Sequence, residues 1–352
     1  MGPYQVRQWE PGSFIEATAF AAYVGGKPKI SRIQVVFIPD ANTAVANLLA
    51  GSVHFVTDEA VAFDQASVLR RGWTSGGQTG VVLLAPVRTR YVQIQYKPDY
   101  ASPAAVYDMH VRQALSHAID KQALVDGVLD GEPAMAEVAA SPKSEYYAEL
   151  DRVITKYPLD LRRSEQLMAT AGYAKAADAF YARDGTHLSL GLMAFSQGSG
   201  EKEALILADG WKRAAFDTPL TILTATQSQD VQIVSTYPAL RVDQTGIDGL
   251  TGSLSKWGEA TISTPQNRWA GANRGGFYDP EYERLFQIAR TSLDRSERNY
   301  ATVQALKFLS ERAIYFPLYQ SYLVAAHAGS VVGPTTGDAG VALWNVETWT
   351  WK

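Results

Sequence analysis

The stretch "VRQALSHAIDKQALVDGVLDG", residues 111–131, decides how the rest of the chain is read. Apolar residues recur at Val111, Ala114, Leu115, Ala118 and Ile119, then at Leu124, Val125, Val128 and Leu129. That is the three-and-four spacing of a helix face turned toward a core. Asp120 falls between the two sets. One reading makes it a working carboxylate beside His117, with His110 seven residues back, a set of N and O ligands for a divalent metal. The other makes it the N-cap of a second helix, its carboxylate accepting from free backbone N–H groups where the helix dipole also favours negative charge. The cap explains the position better, because solvent-facing His and Asp are commonplace on amphipathic helices. A hydrolase built on His117 and Asp120, or on His327, is the weakest of the functional readings.

Working outward, the chain opens with strand residues Tyr4, Val6 and Trp9, a Pro11–Gly12 turn, and "SFIEATAF". "ISRIQVVFIPD" (30–40) alternates as a strand, "ANTAVANLLAG" (41–51) reads as a short helix stopped by Gly51, and "VHFVTD" (53–58) as a strand. The order predicts a βαβ unit. "GVVLLAPVRTRYVQIQY" (80–96) reads as one long strand or two in line. After the helix pair, "PLDLRRSEQLMATAGY" (158–173) predicts a helix with Asp160 as N-cap and Gly172 as its stop. A strand over 186–195, a helix over 200–216 and a strand over 219–225 predict a second βαβ unit. Residues 226–279 read as irregular, and a connection that long is usually functional or mobile. Two helices (280–292 and 296–313) and a strand over 314–333 follow, and the tail alternates through Trp349 and Trp351.

Composition narrows the function. The 352 residues include 32 basic and 36 acidic side chains, a net charge of -4, which gives no electrostatic case for nucleic acid or an anionic membrane. There is no cysteine, so no disulfide, thiolate metal site or cysteine nucleophile exists. No apolar run approaches membrane-spanning length, and the first residues form no signal peptide. A chain this long buries roughly 75% of its unfolded surface, so it folds without staples and has room for two lobes. "GGKPK" (25–29) is mis-spaced for a phosphate loop, and "QGSGE" (197–201) is not a nucleophile elbow. Asp58/Glu59 and Asp279/Glu281 are paired acids, but "YDPEYERL" (278–285) reads as a helix start. Nothing orders a nucleophile, a base and an oxyanion site together. No cofactor, no metal and no catalysis are expected.

These segments carry a resemblance. "VRQALSHAIDKQALVDGVLDGEP", "GPYQVRQWEPGS", "YVGGKPKISRIQVVFIPDANTAVANLLAGSVHF", "LRRSEQLMATAGY" and "NRWAGANRGGFYDPEYERLFQIARTSLDRSER" together resemble the family 5 extracellular solute-binding proteins, the oligopeptide, dipeptide and nickel receptors of ABC importers. The matches keep the family's order from residue 2 to about residue 325. The resemblance implies an α/β fold of the periplasmic-binding-protein type II, the three-domain, cluster C-like kind, in which two lobes close on a ligand by a hinge. Members are longer, and the "GPY" segment lies well inside them. The chain is therefore expected to be a C-terminal fragment, with residues 1–95 and 328–352 as the remaining part of lobe one and residues 96–327 as a complete lobe two. A periplasmic or extracytoplasmic location follows, the leader being expected on the missing N-terminal segment. The implied partners are a small-molecule or peptide ligand and a membrane permease.

The resemblance also places the ligand. The cleft face of lobe two is expected to include residues 235–244. There Tyr237 offers an aromatic wall, Arg241 a planar fork for a carboxylate or phosphate, and Asp243 and Gln244 polar contacts. Trp269, Asn273 and Tyr96 are further ligand-binding candidates. Each has a plainer reading: a turn at Tyr237–Pro238, a surface pair of Arg241 with Asp243, a core anchor in Trp269. The sequence departs from peptide receptors in "DVQIVSTYPALRVDQTGID" (230–248), where the Asp that helps hold a peptide's amino group has no counterpart at the expected place. The rival to a solute receptor is a stand-alone protein-interaction or chaperone-like lobe with no small-molecule ligand.

Overall fold

The structure is a computed structural model that describes residues 2–76, 79–247, 253–336 and 343–352. The side chains of the acid pair Asp58/Glu59 lie outside the described residues. Contacts group the chain into two compact units, Met1–Val87 with Tyr322–Lys352 and Arg88–Ser321.

In the first unit, β1 (Tyr4–Glu10), β2 (Phe14–Ala19) and β3 (Arg32–Val36) form an antiparallel meander. Gly12 turns the first hairpin at φ +76°, a conformation that favours glycine. The register pairs Val6 with Ala17 and Trp9 with Ile15, and then Ile15 with Val35 and Ala17 with Ile33. A bulge between Val6 and Gln8 offsets the alternation, so Val6 and Trp9 share one apolar face, on which they are 63% and 65% exposed. α1 (Ala41–Leu49) starts where Asp40 accepts from the Thr43 N–H at 2.8 Å. It buries Ala44, Val45 and Leu48 with β4 (Phe55–Val61) and α2 (Phe63–Gly76). β5 (Gly80–Ile94) is a single long strand whose last residues belong to the second unit.

The second unit begins with the helix pair that opened the sequence. α3 (Met109–His117) and α4 (Lys121–Leu129) are separated at Asp120, whose Oδ1 accepts from the Ala123 N–H at 2.9 Å. His117 Nδ1 donates to the Pro158 carbonyl, 2.9 Å away. Asp120 is thus a helix cap, and His117 is tied to the segment just before the later helix at 161–170. Arg112 is buried in α3 and spends its guanidinium on backbone: Nη1 donates to Val106 and Tyr107, and Nε and Nη2 reach the carbonyls at 312–313. After α5 (Tyr147–Val153), Asp160 caps α6 (Leu161–Thr170), and Gly172 ends that helix at φ +81°.

A small antiparallel sheet follows, β6 (Ala174–Lys175), β7 (Tyr181–Arg183) and β8 (Thr186–His187). β9 (Leu192–Phe195), α7 (Gly200–Arg213) and β10 (Leu220–Leu223) form the second βαβ unit as expected, the strands parallel. Then comes β11 (Leu240–Gly246), which pairs parallel with β9 and antiparallel with β5. α8 (Pro280–Thr291) and α9 (Arg295–Glu311) lead to β12 (Tyr315–Ala328). The strand order in this unit is β10-β9-β11-β5-β12. On one side of the sheet, Tyr91, Trp257, Tyr282, Phe286, Leu306 and Tyr315 belong to one core cluster.

Two expectations need correction. The first βαβ unit does not form: β3 pairs with β2 in the meander, whereas β4 pairs antiparallel with β12. β3 is mostly exposed, and an exposed, alternating strand suits a meander rather than a buried parallel sheet. The predicted strand over 186–195 is two strands, β8 and β9. In the first unit the described residues of the tail include β14 (Thr350–Trp351), paired with β13 (Val331–Val332).

Candidate ligand site

The antiparallel pair β5–β11 brings charged and polar side chains of the second unit opposite one another. Arg90 stands opposite Gln244, Tyr91 opposite Asp243, and Gln93 opposite Arg241. Alternation sends these pairs to two faces of the sheet.

On one face lies a cluster around Asp243. Its Oδ2 accepts from Arg241 Nη2 at 2.5 Å, from the Tyr91 hydroxyl at 3.1 Å and from Lys256 Nζ at 3.2 Å. Arg241 Nη2 also donates to Gln93 Oε1 at 2.7 Å. Burial alone would raise the Asp243 carboxyl. The charges of Arg241 and Lys256, with that of Arg274, outweigh it and hold the group well below the usual carboxylate range. Lys256 and Arg274 are both pushed down, first by burial, and Arg241 adds like-charge repulsion. Among the described residues, one carboxylate therefore faces three cations. Arg241 is fully buried, its guanidinium 5.4 Å from the centre of the Tyr237 ring and 5.9 Å from that of Phe195. Its Nε and Nη1 find no acceptor among the described residues, nor does Gln93 Nε2 find one, and Ser235 Oγ is likewise unpartnered. Buried donors are almost always paired, so these spare groups mark the cluster as chemically unfinished.

The opposite face is complete. Arg90 pairs with the fully buried Glu203 through Nε at 3.0 Å and through Nη2, and Glu203 also accepts from Ser199 Oγ at 2.5 Å and from the Tyr319 hydroxyl. Burial raises the Glu203 carboxyl, but the Arg90 charge and these hydrogen bonds outweigh it and leave the group depressed. Gln244 faces this side and accepts from Arg90 Nη1 at 3.4 Å.

The structure thus brings Tyr237, Arg241 and Asp243 together and places Gln244 across the sheet. Tyr237 donates to the Ile94 carbonyl at 3.1 Å, and burial pushes its hydroxyl pKa up strongly. Tyr96 donates to the Ile314 carbonyl at 3.0 Å, lies edge-on to Phe277, and is pushed up to about 12 by burial. Asn273 is fully buried and spends its amide on the chain, donating to the Gly258 and Phe277 carbonyls and accepting from the Phe277 N–H. Trp269 is 8% exposed and sits beside Tyr100 and Lys97. Tyr91, Gln93, Lys97, Lys256 and Arg274 were not foreseen. "YVQIQYK" held a signal for the first three: two glutamines in a strand otherwise built for a core have to be answered by buried polar partners.

Among the described residues, no group of three or more His, Asp or Glu side chains is placed to hold a metal ion, and no helix is long and apolar enough to cross a membrane. Fold comparison gives the class: the chain has the fold of the periplasmic binding proteins. NikA from Brucella suis in complex with Fe(III)-EDTA matches with a TM-score of 0.78 at 21% identity, over 100% of this chain and 68% of that one. NikZ from Campylobacter jejuni in complex with Ni(L-His) matches with a TM-score of 0.76 at 22% identity, over 99% and 68%.

The particular family follows from sequence. The model of the bacterial extracellular solute-binding proteins, family 5 (middle), matches residues 1–253, and the chain belongs to that family. The oligopeptide-binding protein AppA of Bacillus subtilis is 27% identical over 225 residues, 63% of this chain and 39% of its own length. The glutathione-binding protein GsiB of Salmonella typhimurium is 23% identical over 350 residues, 96% of this chain and 62% of its own length. The chain therefore spans less than two thirds of these relatives. The family matches are solute-binding proteins, not enzymes.

Proposed function

We propose that this chain is part of the solute-binding component of an ABC importer, taking a small polar or peptide-like ligand that bears an acid group. The ligand is captured between two lobes by hinge closure, outside the cytoplasm, and delivered to a membrane permease. Residues 1–95 with 328–352 and residues 96–327 are the lobe assignments this reading uses. Tyr237, Arg241 and Asp243 form the centre of the binding face, with Gln244, Trp269, Asn273 and Tyr96 as its further candidates.

The observation that carries the acid preference is Arg241, buried with two donor nitrogens that have no partner among the described residues, amid more described cations than carboxylates. A carboxylate supplies both the missing acceptors and the missing charge. The relatives' names point the same way. Oligopeptides, glutathione, the histidine of Ni(L-His) and the EDTA of Fe(III)-EDTA all carry carboxylates.

The test is thermal shift with trialanine and with trialanine amide. At 100 times its Kd, a ligand adds about 2.7 kcal/mol of stability. Stabilisation by the acid and not by the amide is expected; equal response to both, or to neither, removes the acid-group reading. A second reading, a protein-interaction lobe with no small ligand, draws on the exposed apolar face of the β1–β3 meander. It predicts no small-molecule stabilisation at all.

A further inference from the structure

We propose that Lys97 is a positioning residue that staples the loop carrying Trp269, and the turn carrying Tyr237, to the end of β5. Lys97 Nζ donates to the Ser235 carbonyl at 2.6 Å and to the Ser263 carbonyl at 3.3 Å. It lies 5.1 Å from the Trp269 ring centre and 5.5 Å from that of Tyr100, within cation–π range of both. One ammonium therefore bridges three separate segments: the end of β5, the turn before Tyr237 and the loop after Ser263.

That loop needs holding. Arg268 and Trp269 are consecutive non-glycine residues at φ +54° and +63°. Left-handed backbone at such residues costs of order 1–3 kcal/mol each and persists only where the surroundings enforce it. Gly276, at φ +70°, lies against the Lys97 stem so closely that an added Cβ would overlap Lys97 Cγ, which fixes the stem from the other side. The groups facing the ammonium are the two carbonyls, the Tyr100 and Trp269 rings, and the like charge of Arg241. Burial first, then Arg241, lowers the Lys97 pKa to about 8. A released lysine recovers the ordinary value near about 10.4. Because the released lysine holds its proton more tightly, the staple weakens as pH falls from about 10.4 to about 8 and does not weaken further below that. An anion at Arg241 removes the repulsion, raises the Lys97 pKa and tightens the staple with its charge in place. The positioning role for ligand binding rests on the function proposed above, whereas the staple itself does not.

The experiment is fluorine NMR of the chain labelled with 5-fluorotryptophan, the Trp269 resonance being assigned by W269F, titrated from pH 6.5 to 9.5 without ligand. The expected result is a Trp269 resonance that moves with a midpoint near 8, and loses that movement in both K97M and K97R. If K97M fails to fold, K97R decides, because arginine fills the site and does not titrate in this range. A flat wild-type profile, or a K97R profile that still titrates, overturns the proposal. Repeating the titration with trialanine raises the midpoint if the acid reading also holds; an unmoved midpoint removes the link to Arg241 while leaving the staple standing.

Discussion

Arg112 Nε lies 3.2 Å from the carbonyl oxygens of both Arg312 and Ala313, tying the first signature helix to a segment 200 residues later in the chain. A single guanidinium thus closes the C-terminal end of α9 and the turn before α3 at once. R112M leaves four carbonyls without that donor, those of Val106 and Ala313 buried. The expected loss is about 2–4 kcal/mol, read from urea unfolding. R112K recovers only part of it, because one ammonium lacks the planar fork.

Asp120 predicts the opposite combination, a change in stability with no change in function. D120A removes one cap and costs about 1 kcal/mol, while D120N retains an acceptor and costs less. Ligand affinity, measured by calorimetry, stays at the wild-type value in both. Loss of affinity in a folded D120A would return Asp120 to the list of functional groups.

The Arg90–Glu203 pair is buried, so removal of one partner strands the other. E203Q or R90M is expected to cost about 3–5 kcal/mol, and the double replacement R90M/E203M less than the sum. Glu203 and Asp243 both have folded-state pKa values below their unfolded ones. Their stabilisation is complete above the unfolded carboxyl range of about 4 and is lost as pH falls through the folded values. Acid unfolding of the wild type should steepen below pH ~4, and E203Q should flatten that limb.

Arg241 is the test of ligand chemistry. R241Q keeps a polar side chain but removes the fork and its charge. Affinity for an acid-bearing peptide is expected to fall about 10-fold to 100-fold, the worth of a charged hydrogen bond. Any affinity for the amide should not change.

Gly275 tests how the late loop seats on the sheet. Its carbonyl accepts from the Tyr96 N–H at 2.7 Å, and an added Cβ would overlap the Ile94 carbonyl and come within 3.0 Å of the Tyr237 hydroxyl. G275A is expected to cost about 1–3 kcal/mol as overpacking, with a change in near-ultraviolet dichroism from the displaced tyrosine.

Much of the fold was legible in local chemistry. Asp120, Asp160 and Asp279 each cap the helix their spacing implied, because a cap is decided within three residues. α2 escaped notice: its apolar positions Phe63, Ala66, Leu69 and Trp73 have helical spacing, but Gly72 and the "TSGG" that follows read as loop. β11 escaped for a different reason. "LRVDQTG" alternates buried aliphatic residues with charged ones, and only its neighbours β5 and β9 make a buried arginine tolerable there. The candidate site was half legible. Arg241 and Asp243 stood out as charges, but their partners Gln93, Tyr91 and Lys256 are set by strand register and by a loop, neither of which is local in sequence.

The β5–β11 register has a consequence for how the sheet finds its alignment. Asp243 meets Arg241 and Tyr91 on one side, while Glu203 meets Arg90 on the other. A slip of β11 by one residue would turn Asp243 and Arg241 toward α7 and drive Val242 into the cationic pocket. Each misaligned pairing would bury an unmatched ion. The charges therefore act as registration pins: whatever they contribute to net stability, they leave the two strands a single permissible alignment.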